Sequence, residues 1–313
     1  MSLQINNLYK KYGDKVVVNG LSAEMKEPGV FALLGTNGAG KTTTIRMILD
    51  ILAKDGGNVL WNGSPLDVKK VNIGYLAEER GIYPKSCIMD QLLYFAALKG
   101  ISSADAKVSI KRLAQRLEVE EYTYNLTPAS RRRREKPKLA EQLSKGNQQK
   151  IQLMAALISD PELLVLDEPL SGLDPINTEI FKNVIREEIE KGKYIIMSSH
   201  SMPTVEEFCK DIIIMDKGEA VVSGNLNEIK KHYGRENLFV KCDKDIDDII
   251  EKFNMVFVNR TPDEMQFRTR NEQQVTDFLK ALVMSDRGVV RFELREPSLH
   301  EIFLKKVGTS VEN

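Results

Sequence analysis

A glycine-rich stretch near the start of the chain carries the residue types that bind phosphate. It follows an apolar run at residues 30–34, typical of a buried strand, and precedes residues 44–52, which have the pattern of a helix. Glycines let backbone N–H groups close around an anion, and the positive end of the helix dipole faces the same anion. Lys41 can reach the β- and γ-phosphates, and the Thr42 hydroxyl can bind Mg²⁺. The pattern predicts a nucleoside triphosphate on Gly35-Thr36-Asn37-Gly38-Ala39-Gly40-Lys41-Thr42-Thr43; the alternative is a turn whose lysine is merely solvated.

Acidic residues and a histidine follow two other apolar runs. Residues 163–166 lead directly into Asp167 and Glu168, and residues 194–199 lead into His200. In open α/β folds, ligands bind at the carboxyl edge of the parallel strands, where these side chains would meet. Two adjacent carboxylates suit Mg²⁺ and an attacking water, whereas a histidine considered alone is more often structural. The shared edge predicts that all three residues belong to the triphosphate site.

Tyr12 and Ser144 each have a functional and a structural interpretation. Tyr12 lies in a predicted turn ahead of the glycine-rich stretch, where its ring could stack on a base, although most tyrosines in β-rich segments cover the edge of a core. Ser144 is placed to cap a long amphipathic helix that continues through residues 151–158, which is also a common structural role. The residues alone do not decide between these roles.

The elements that must position these residues indicate two domains. Residues 2–26 alternate apolar and polar residues, with turns expected at 12–14 and 19–20, which predicts an antiparallel sheet. Residues 88–116 have a mostly helical pattern. We place the boundary between domains 1–234 and 235–313, with a helical subdomain at about residues 86–158. The tail shows strand, helix, strand, strand, helix, strand and a final helix, which predicts a small α/β domain without a catalytic constellation.

Composition excludes several classes of protein. The chain has 45 basic and 45 acidic residues, so its overall charge favours neither nucleic acid nor a lipid surface. No apolar run approaches the roughly 20 residues of a membrane-spanning helix, and the first residues lack the pattern of a signal peptide. Cys87, Cys209 and Cys242 form no paired metal pattern and are typical of reduced thiols. The four arginines at residues 131–134 favour a solvated loop over a nucleic-acid or lipid contact, because no aromatic residues interleave them.

The order of these motifs resembles the ATP-binding subunit of ABC transporters. The phosphate loop is followed by a helix start of the LSxGx type, a strand ending in two acids, a Ser-Gly-Leu-Asp turn and a histidine at a strand end. This resemblance covers about residues 3–233. The tail resembles the C-terminal accessory domain of ABC-2 type exporter ATPases, in particular the branch of sodium or drug exporters.

The resemblance implies a fold and a function. The fold is an α/β P-loop NTPase of the ABC type, with a RecA-like core, an antiparallel β subdomain and a helical subdomain, plus a small C-terminal α/β domain. The function is hydrolysis of Mg-ATP at the interface of a nucleotide-sandwich dimer, which powers export by a separate membrane permease. The expected partners are a second copy or a paralogue and the permease, with no nucleic acid. The expected location is cytoplasmic, peripheral on the inner face of the cell membrane through the permease.

The resemblance also assigns a role to each candidate residue. Tyr12 matches the aromatic residue that stacks on adenine, and segment 35–43 matches the phosphate cradle. Thr42 and Asp167 match the Mg²⁺ ligands, Glu168 the general base and His200 the residue that senses the γ-phosphate. Ser144, Gly146 and Gln148 match the segment that contacts ATP bound to the other copy. Asp174 matches the turn that crosses between the two copies.

Two positions depart from the common family pattern. Glu78 stands where the family commonly has glutamine; it could still bind Mg²⁺, but its charge near the γ-phosphate predicts slower or more Mg²⁺-dependent hydrolysis. Lys145 and Asn147 replace glycine and glutamine in the helix start, whereas Ser144 and Gly146 remain.

Two alternative functions remain open beside the transporter motor. The first is a soluble ABC-type ATPase acting on ribosomes or DNA, which usually has two nucleotide-binding domains or a long coiled coil, and neither is present. The second is an ATP-binding switch with weak hydrolysis, which Glu78 leaves open although Glu168 and His200 argue against it.

Overall fold

The computed structural model describes residues 1–79, 81–123, 138–261 and 264–308. The chain divides into two compact units, Met1–Gly224 and Asn225–Asn313. This boundary lies ten residues before the predicted one, because the helix Leu226–Tyr233 belongs to the second unit and not to the first. The arginines at residues 131–134 lie outside the described residues.

Two sheets form the frame of the first unit. The antiparallel sheet consists of β1 (Leu3–Tyr12), β2 (Lys15–Met25), β4 (Gly56–Trp61) and β5 (Ser64–Pro65), in the order β2-β1-β4-β5. The six-stranded sheet consists of β3 (Gly29–Gly35), β6 (Ile73–Leu76), β7 (Leu163–Asp167), β8 (Tyr194–Ser199), β9 (Cys209–Asp216) and β10 (Glu219–Asn225), in the order β10-β9-β3-β8-β7-β6. Strands β3, β6, β7, β8 and β9 pair in parallel. Their carboxyl ends therefore meet at one edge, as the sequence predicted.

The helices of the first unit connect and cover these sheets. They are α1 (Lys41–Ile48), α2 (Ile88–Leu98), α3 (Ser103–Arg116), α4 (Glu120–Thr123), α5 (Lys145–Leu157), α6 (Pro175–Glu190) and α7 (Met202–Phe208), with a 3₁₀ turn at Ala140–Gln142. The predicted helical stretch 88–116 is therefore two helices, which the loop at residues 99–102 separates.

One apolar core joins both sheets and the helix that follows the phosphate loop. Leu3, Ile5 and Leu8 of β1 belong to the same buried cluster as residues of β3 and Ile45 and Met47 of α1. Every residue of β7 and β8 is buried, which is the composition expected of parallel strands covered on both faces. The phosphate loop and the strand ends of the site are thus built on one packed body.

Two local predictions for the first unit need correction. The turn expected at Asn19-Gly20 is wrong, because β2 runs through both residues and Gly20 takes a positive φ of 65° within the strand. Register shifts between β1 and β2 accommodate this irregular stretch without a reversal of the chain. The second correction is helix α7, which had no predicted counterpart because seven residues are too few for a clear helical periodicity.

The second unit has the βαββαβ order of a ferredoxin-like fold. Helix α8 (Leu226–Tyr233) precedes β11 (Asn237–Cys242), α9 (Asp247–Lys252), β12 (Val256–Arg260), β13 (Met265–Arg268), α10 (Glu272–Met284), β14 (Val289–Arg295) and α11 (Leu299–Val307). The antiparallel strand order is β12-β13-β11-β14. The predicted small α/β domain is confirmed, including its final helix.

No helix in the described parts of the chain combines the length and the apolar composition needed to cross a membrane.

The aromatic core of the second unit allows a test of its packing. Phe267 is fully buried, and its ring centroid lies 6.0 Å from that of Phe257 and 5.9 Å from that of Phe278. We expect Phe267→Ala to lower the free energy of unfolding by about 3–5 kcal/mol, because it removes a buried aromatic ring and leaves a cavity. Urea unfolding followed by circular dichroism measures this change. The control Leu304→Ala removes a side chain from a residue that is 52% exposed, so an equal loss in both variants would contradict the description of this core.

Candidate functional site

The glycine-rich loop packs closely against the backbones of β2 and β9. A Cβ atom on Gly35 would lie 2.4 Å from the carbonyl oxygen of Met215 in β9, and one on Gly40 would lie 2.7 Å from the carbonyl oxygen of Val17 in β2. Both glycines also have positive φ angles, 153° and 104°, that favour glycine. The loop therefore keeps its shape only with glycine at these two positions.

Helix α1 begins at this loop with its N–H groups available to an anion. Its N-cap is Gly40, no side chain caps it, and its first turn contains no acidic residue. The first backbone N–H groups of a helix have no partner within the helix and carry partial positive charge. The start of α1 therefore has the electrostatics of a phosphate site.

The two carboxylates lie at the end of β7, and a serine of β8 connects them. Asp167 pairs in register with Ser198. The Ser198 hydroxyl donates to Asp167 Oδ1 at 2.5 Å and accepts the backbone N–H of Glu168 at 2.8 Å. The Thr42 hydroxyl donates to the same Asp167 oxygen at 3.3 Å. One serine thus holds both acids, and the first of them also accepts a hydrogen bond from Thr42.

Asp167 is suited to a cation. Its side chain is fully buried, and burial raises the pKa of the carboxyl above its ordinary range, while hydrogen bonds from Ser198 and Thr42 oppose that rise. Its second oxygen, Oδ2, is buried without a hydrogen-bond partner among the described residues. A buried carboxylate oxygen without a partner is costly unless a cation or water binds it, so Thr42 and Asp167 fit a hard divalent ion such as Mg²⁺.

Glu168 lies between a lysine and a histidine. Its Oε2 is 2.8 Å from Nδ1 of His200, and its Oε1 is 3.4 Å from Nζ of Lys41. The Lys41 ammonium also donates to the carbonyl oxygens of Gly35 at 2.9 Å and Thr36 at 3.4 Å. Glu168 has a φ of 48°, a conformation uncommon for a non-glycine residue and frequent at active sites. The three side chains form one contiguous ionisable group at the edge of the sheet.

A cavity of about 450 Å³ opens in front of these groups. Its volume lies in the range of small-molecule sites. The residues that line it are Lys15, Val17, Asn37, Gly38, Ala39, Gly40, Lys41, Thr42, Thr43, Glu78 and Glu168. The structure therefore brings together the predicted phosphate loop, the predicted base and Glu78. Tyr12 is not part of this lining; it is exposed at the end of β1, directly across from Lys15 in β2.

The remaining predicted residues lie apart from this cavity. Ser144 caps α5 by accepting the backbone N–H of Asn147 at 3.3 Å, and Asp174 caps α6 by accepting the N–H of Asn177 at 3.0 Å. A Cβ on Gly146 would lie 2.8 Å from the side-chain nitrogen of Asn177, so the starts of the two helices are packed against each other. These residues form a second group in the same unit.

Gln148 is placed differently from the other residues of its motif. Its side chain is buried and donates to the carbonyl oxygen of Leu143 at 2.9 Å, which holds the turn before α5. It also lines a neighbouring cavity of about 360 Å³ together with Lys145, Glu78 and Glu168. The side-chain nitrogen of Gln148 therefore already has a hydrogen-bond acceptor, the carbonyl oxygen of Leu143.

Sequence reasoning missed three residues of the site: Lys15, Val17 and Ser198. Lys15 and Val17 belong to a hairpin strand with an ordinary alternating pattern, and their place on the cavity wall depends on the packing of β2 against the phosphate loop. Ser198 had a signal, because it and Ser199 are polar residues at the end of an otherwise apolar buried strand. A buried serine there needed a partner, and Asp167 provides one.

Comparisons with known proteins agree with this geometry. A family model described as ABC transporter matches residues 18–171, and one described as ATP-binding protein DrrA1-3-like, C-terminal domain, matches residues 224–307. The chain is 40% identical over 311 residues to the uncharacterized ABC transporter ATP-binding protein YhaQ of Bacillus subtilis, with 99% of this chain and 100% of that protein covered. It is 30% identical over 227 residues to the Nod factor export ATP-binding protein I of Paraburkholderia xenovorans, with 71% of this chain and 70% of that protein covered. It also resembles a solved structure described as the ATP binding subunit of an ABC transporter, with a TM-score of 0.64, 25% identity and coverage of 75% of this chain and 94% of that one.

The serine between the carboxylates gives a direct test of the site. We expect Ser198→Ala to lower the free energy of unfolding by about 1–3 kcal/mol, because Asp167 Oδ1 and the N–H of Glu168 lose a buried partner. It should also lower the rate of ATP hydrolysis, since both acids lose their fixed positions. The matched control is Ser199→Ala, whose hydroxyl accepts the N–H of Ser201 and, among the described residues, has no hydrogen bond with either acid. Equal hydrolysis rates in the two variants would show that Ser198 does not position the carboxylates.

Proposed function

The chain belongs to the ABC transporter ATP-binding proteins and hydrolyses ATP, and we propose that two copies share each ATP to drive export through a separate membrane permease. The observation that carries this proposal is the contact of Glu168 with both Lys41 and His200 at the wall of a cavity lined by a phosphate loop. This arrangement supports the proposal, because a base, a cation and an orienting group that lie together could all act on one terminal phosphate.

In the proposed complex, the triphosphate lies on residues 35–43 and the base of the nucleotide stacks on Tyr12. The free N–H groups at the start of α1 bind the phosphates, and Tyr12 presents an exposed ring at the end of β1. Lys41 exchanges its contact with Glu168 for the β- and γ-phosphates. This exchange is favourable because the phosphates carry more negative charge than one carboxylate.

Mg²⁺ would be held by Thr42 and Asp167, with Glu78 on the same cavity wall, and when bound it neutralises negative charge on the phosphates. Thr42 is already beside Asp167, and the unpartnered Oδ2 of Asp167 leaves a carboxylate oxygen for the ion or for its bound water.

Hydrolysis needs a water activated next to the γ-phosphate, and Glu168 is the proposed base. Its carboxylate accepts a proton from the attacking water, while His200, 2.8 Å away, keeps the carboxylate oriented and contacts the γ-phosphate. The hydrogen bond from the Glu168 N–H to Ser198 fixes the backbone from which this side chain projects. The oxygen of this water bonds to the γ-phosphorus as the bond between that phosphorus and the bridging oxygen breaks, which leaves ADP and phosphate.

The second group of residues supports a shared site. Ser144, Gly146 and Asp174 do not line the cavity of their own copy, and the start of α5 has no acidic residue in its first turn. A helix start without acidic residues suits the γ-phosphate presented by another copy. We infer that Ser144 and Gly146 close over the ATP of the second copy and that the Asp174 turn crosses between the two.

The helical subdomain carries the proposed contact with the permease. Tyr83, Tyr94 and Leu98 are each about half exposed or more. Leu98 and Phe95 line a mainly apolar depression of about 410 Å³ beside β6 and α5, and the ring centroids of Tyr83 and Tyr94 lie 6.2 and 5.8 Å from that of Phe95. Exposed aromatic residues grouped around a depression are typical of protein interaction sites. Because one relative is named a Nod factor export protein, we infer export as the direction of transport and a position at the inner face of the membrane.

Replacing the base separates binding from hydrolysis. Glutamine is similar in shape to Glu168 but cannot accept a proton, so Glu168→Gln should bind ATP and lower the hydrolysis rate by roughly 10²- to 10⁴-fold. With Mg-ATP, the trapped variant should sediment as a dimer. The control is Glu190→Gln at the exposed end of α6, which should hydrolyse at the parent rate. A Glu168→Gln protein that hydrolyses ATP like the control would remove Glu168 as the base.

The carboxylate at position 78 predicts a strong dependence of ATP binding on Mg²⁺. Glu78 and Glu168 both line the cavity, so nucleotide without a metal ion meets two negative charges. We expect Glu78→Gln to reduce the ratio of the ATP dissociation constants measured with EDTA and with Mg²⁺ by calorimetry. The control Glu79→Gln changes a neighbouring residue that does not line this cavity and should leave the ratio unchanged. Equal ratios for all three proteins would contradict a role for Glu78 at the metal.

A further inference from the structure

Strand β2 is attached to the phosphate loop through the turn between β9 and β10. The N–H of Gly218 in this turn donates to the carbonyl oxygen of Ala39 at 3.1 Å, and its carbonyl oxygen accepts the N–H of Asn19 at 2.8 Å. The carbonyl oxygen of Val17 lies 2.7 Å from the position of a Cβ on Gly40, so the two backbones are in direct contact. These contacts fix the position of β2 relative to any phosphate on the loop.

Lys15 lies two residues before this contact and lines the same cavity. It pairs directly with Tyr12 across the hairpin, so the side chains of the two residues share one face of the sheet. In the described parts of the chain, the Lys15 ammonium has no hydrogen bond or ion pair, whereas Lys41 is engaged with Gly35 and Glu168. Of the two lysines on the described cavity wall, Lys15 is therefore the one whose ammonium is available to a ligand.

The charge of the cavity wall requires a second cation for a polyanionic ligand. The charged residues among its described lining are two lysines, Lys15 and Lys41, and two glutamates, Glu78 and Glu168. Without Lys15, the lining would present a net negative charge to a triphosphate, which would oppose binding until a metal ion arrived. Lys15 brings the formal charge of the wall to neutrality before any metal binds.

We propose that the Lys15 ammonium binds the α-phosphate of the nucleotide. The inference rests on the proposed function, which places the base at Tyr12 and the γ-phosphate at Glu168. Since Lys15 is beside Tyr12 and Lys41 is beside Glu168, the phosphate nearest the nucleoside is the one within reach of Lys15. Lys15 thereby joins Tyr12 in recognising the nucleoside end of ATP, while Lys41 acts at the other end.

Nucleotide affinities of the full chain test this assignment. We expect Lys15→Met to weaken ATP binding about tenfold, the loss of one charge-assisted contact, and Lys15→Arg to retain most of the affinity. The matched control is Lys11→Met, because Lys11 lies on the opposite face of the same hairpin and its N–H is bound to Asp55. Lys15 is exposed, so the thermal unfolding midpoint without nucleotide should be the same in all these variants.

A phosphorothioate identifies the phosphate that Lys15 contacts. Adenosine 5′-O-(1-thiotriphosphate) carries sulfur on the α-phosphate and exists as two diastereomers that present either oxygen or sulfur to the lysine. The wild-type protein should bind one diastereomer more tightly, and Lys15→Met should lose most of this preference. A weaker affinity with an unchanged preference would place Lys15 elsewhere on the nucleotide and overturn the assignment.

Lys41→Ala distinguishes failure of this inference from failure of the proposed function. If Lys41→Ala abolishes ATP binding while Lys15→Met binds ATP as the wild type does, the role of Lys15 is refuted and the ATP site stands. If the wild-type chain binds no ATP, the proposed site and the role of Lys15 both fail.

Discussion

The in-register pairing of β7 with β8 is the constraint on which the site depends. It places Ser198 opposite Asp167, so that one hydroxyl holds the first carboxylate and the backbone of the second. The pairing of β3 with β8 then sets the phosphate loop beside the same strand ends. A shift of β8 by one residue would turn Ser198 to the other face of the sheet and separate His200 from Glu168. The positions of the reactive side chains therefore depend on the register in which these strands pair.

Several charged groups of the site lack an oppositely charged or hydrogen-bonding partner within the described chain. Burial raises the pKa of Asp167, and buried oxygens of both Asp167 and Glu168 lack hydrogen-bond partners in the described structure. The Lys41 ammonium donates to two carbonyl oxygens of its own loop and forms an ion pair with the Glu168 carboxylate. Such groups reduce the stability of the folded chain unless a ligand satisfies them. A bound triphosphate and a cation would supply the complementary charges, which would couple ligand binding to local stability.

The parts of the site that follow from local pattern could be predicted from the sequence. The phosphate loop, the two acids at the end of β7 and the histidine after β8 are each signalled by an apolar strand that ends in polar residues, and parallel strands bring such ends together. Lys15 was not predicted, because its role depends on the packing of β2 against a loop that is distant in sequence. The sequence predicts a turn at Gly20, since a glycine with positive φ inside a strand has the same local signature as one in a turn. Residue types within one segment are thus enough to predict its chemistry. Contacts between segments that are distant in sequence can be identified only from the folded structure.

The most direct measurement of the central claim mixes two variants of the full chain, each also carrying Glu168→Gln. One copy has Lys41→Ala and cannot hold ATP on its own loop; the other has Ser144→Arg, which blocks the start of α5. If each ATP is clamped between the phosphate loop of one copy and the α5 start of the other, the mixture retains one intact composite site. Sedimentation should then show a dimer dependent on Mg-ATP in the mixture and in neither variant alone. A mixture that stays monomeric while the Glu168→Gln parent dimerises, or a single variant that dimerises like that parent, would contradict the shared site.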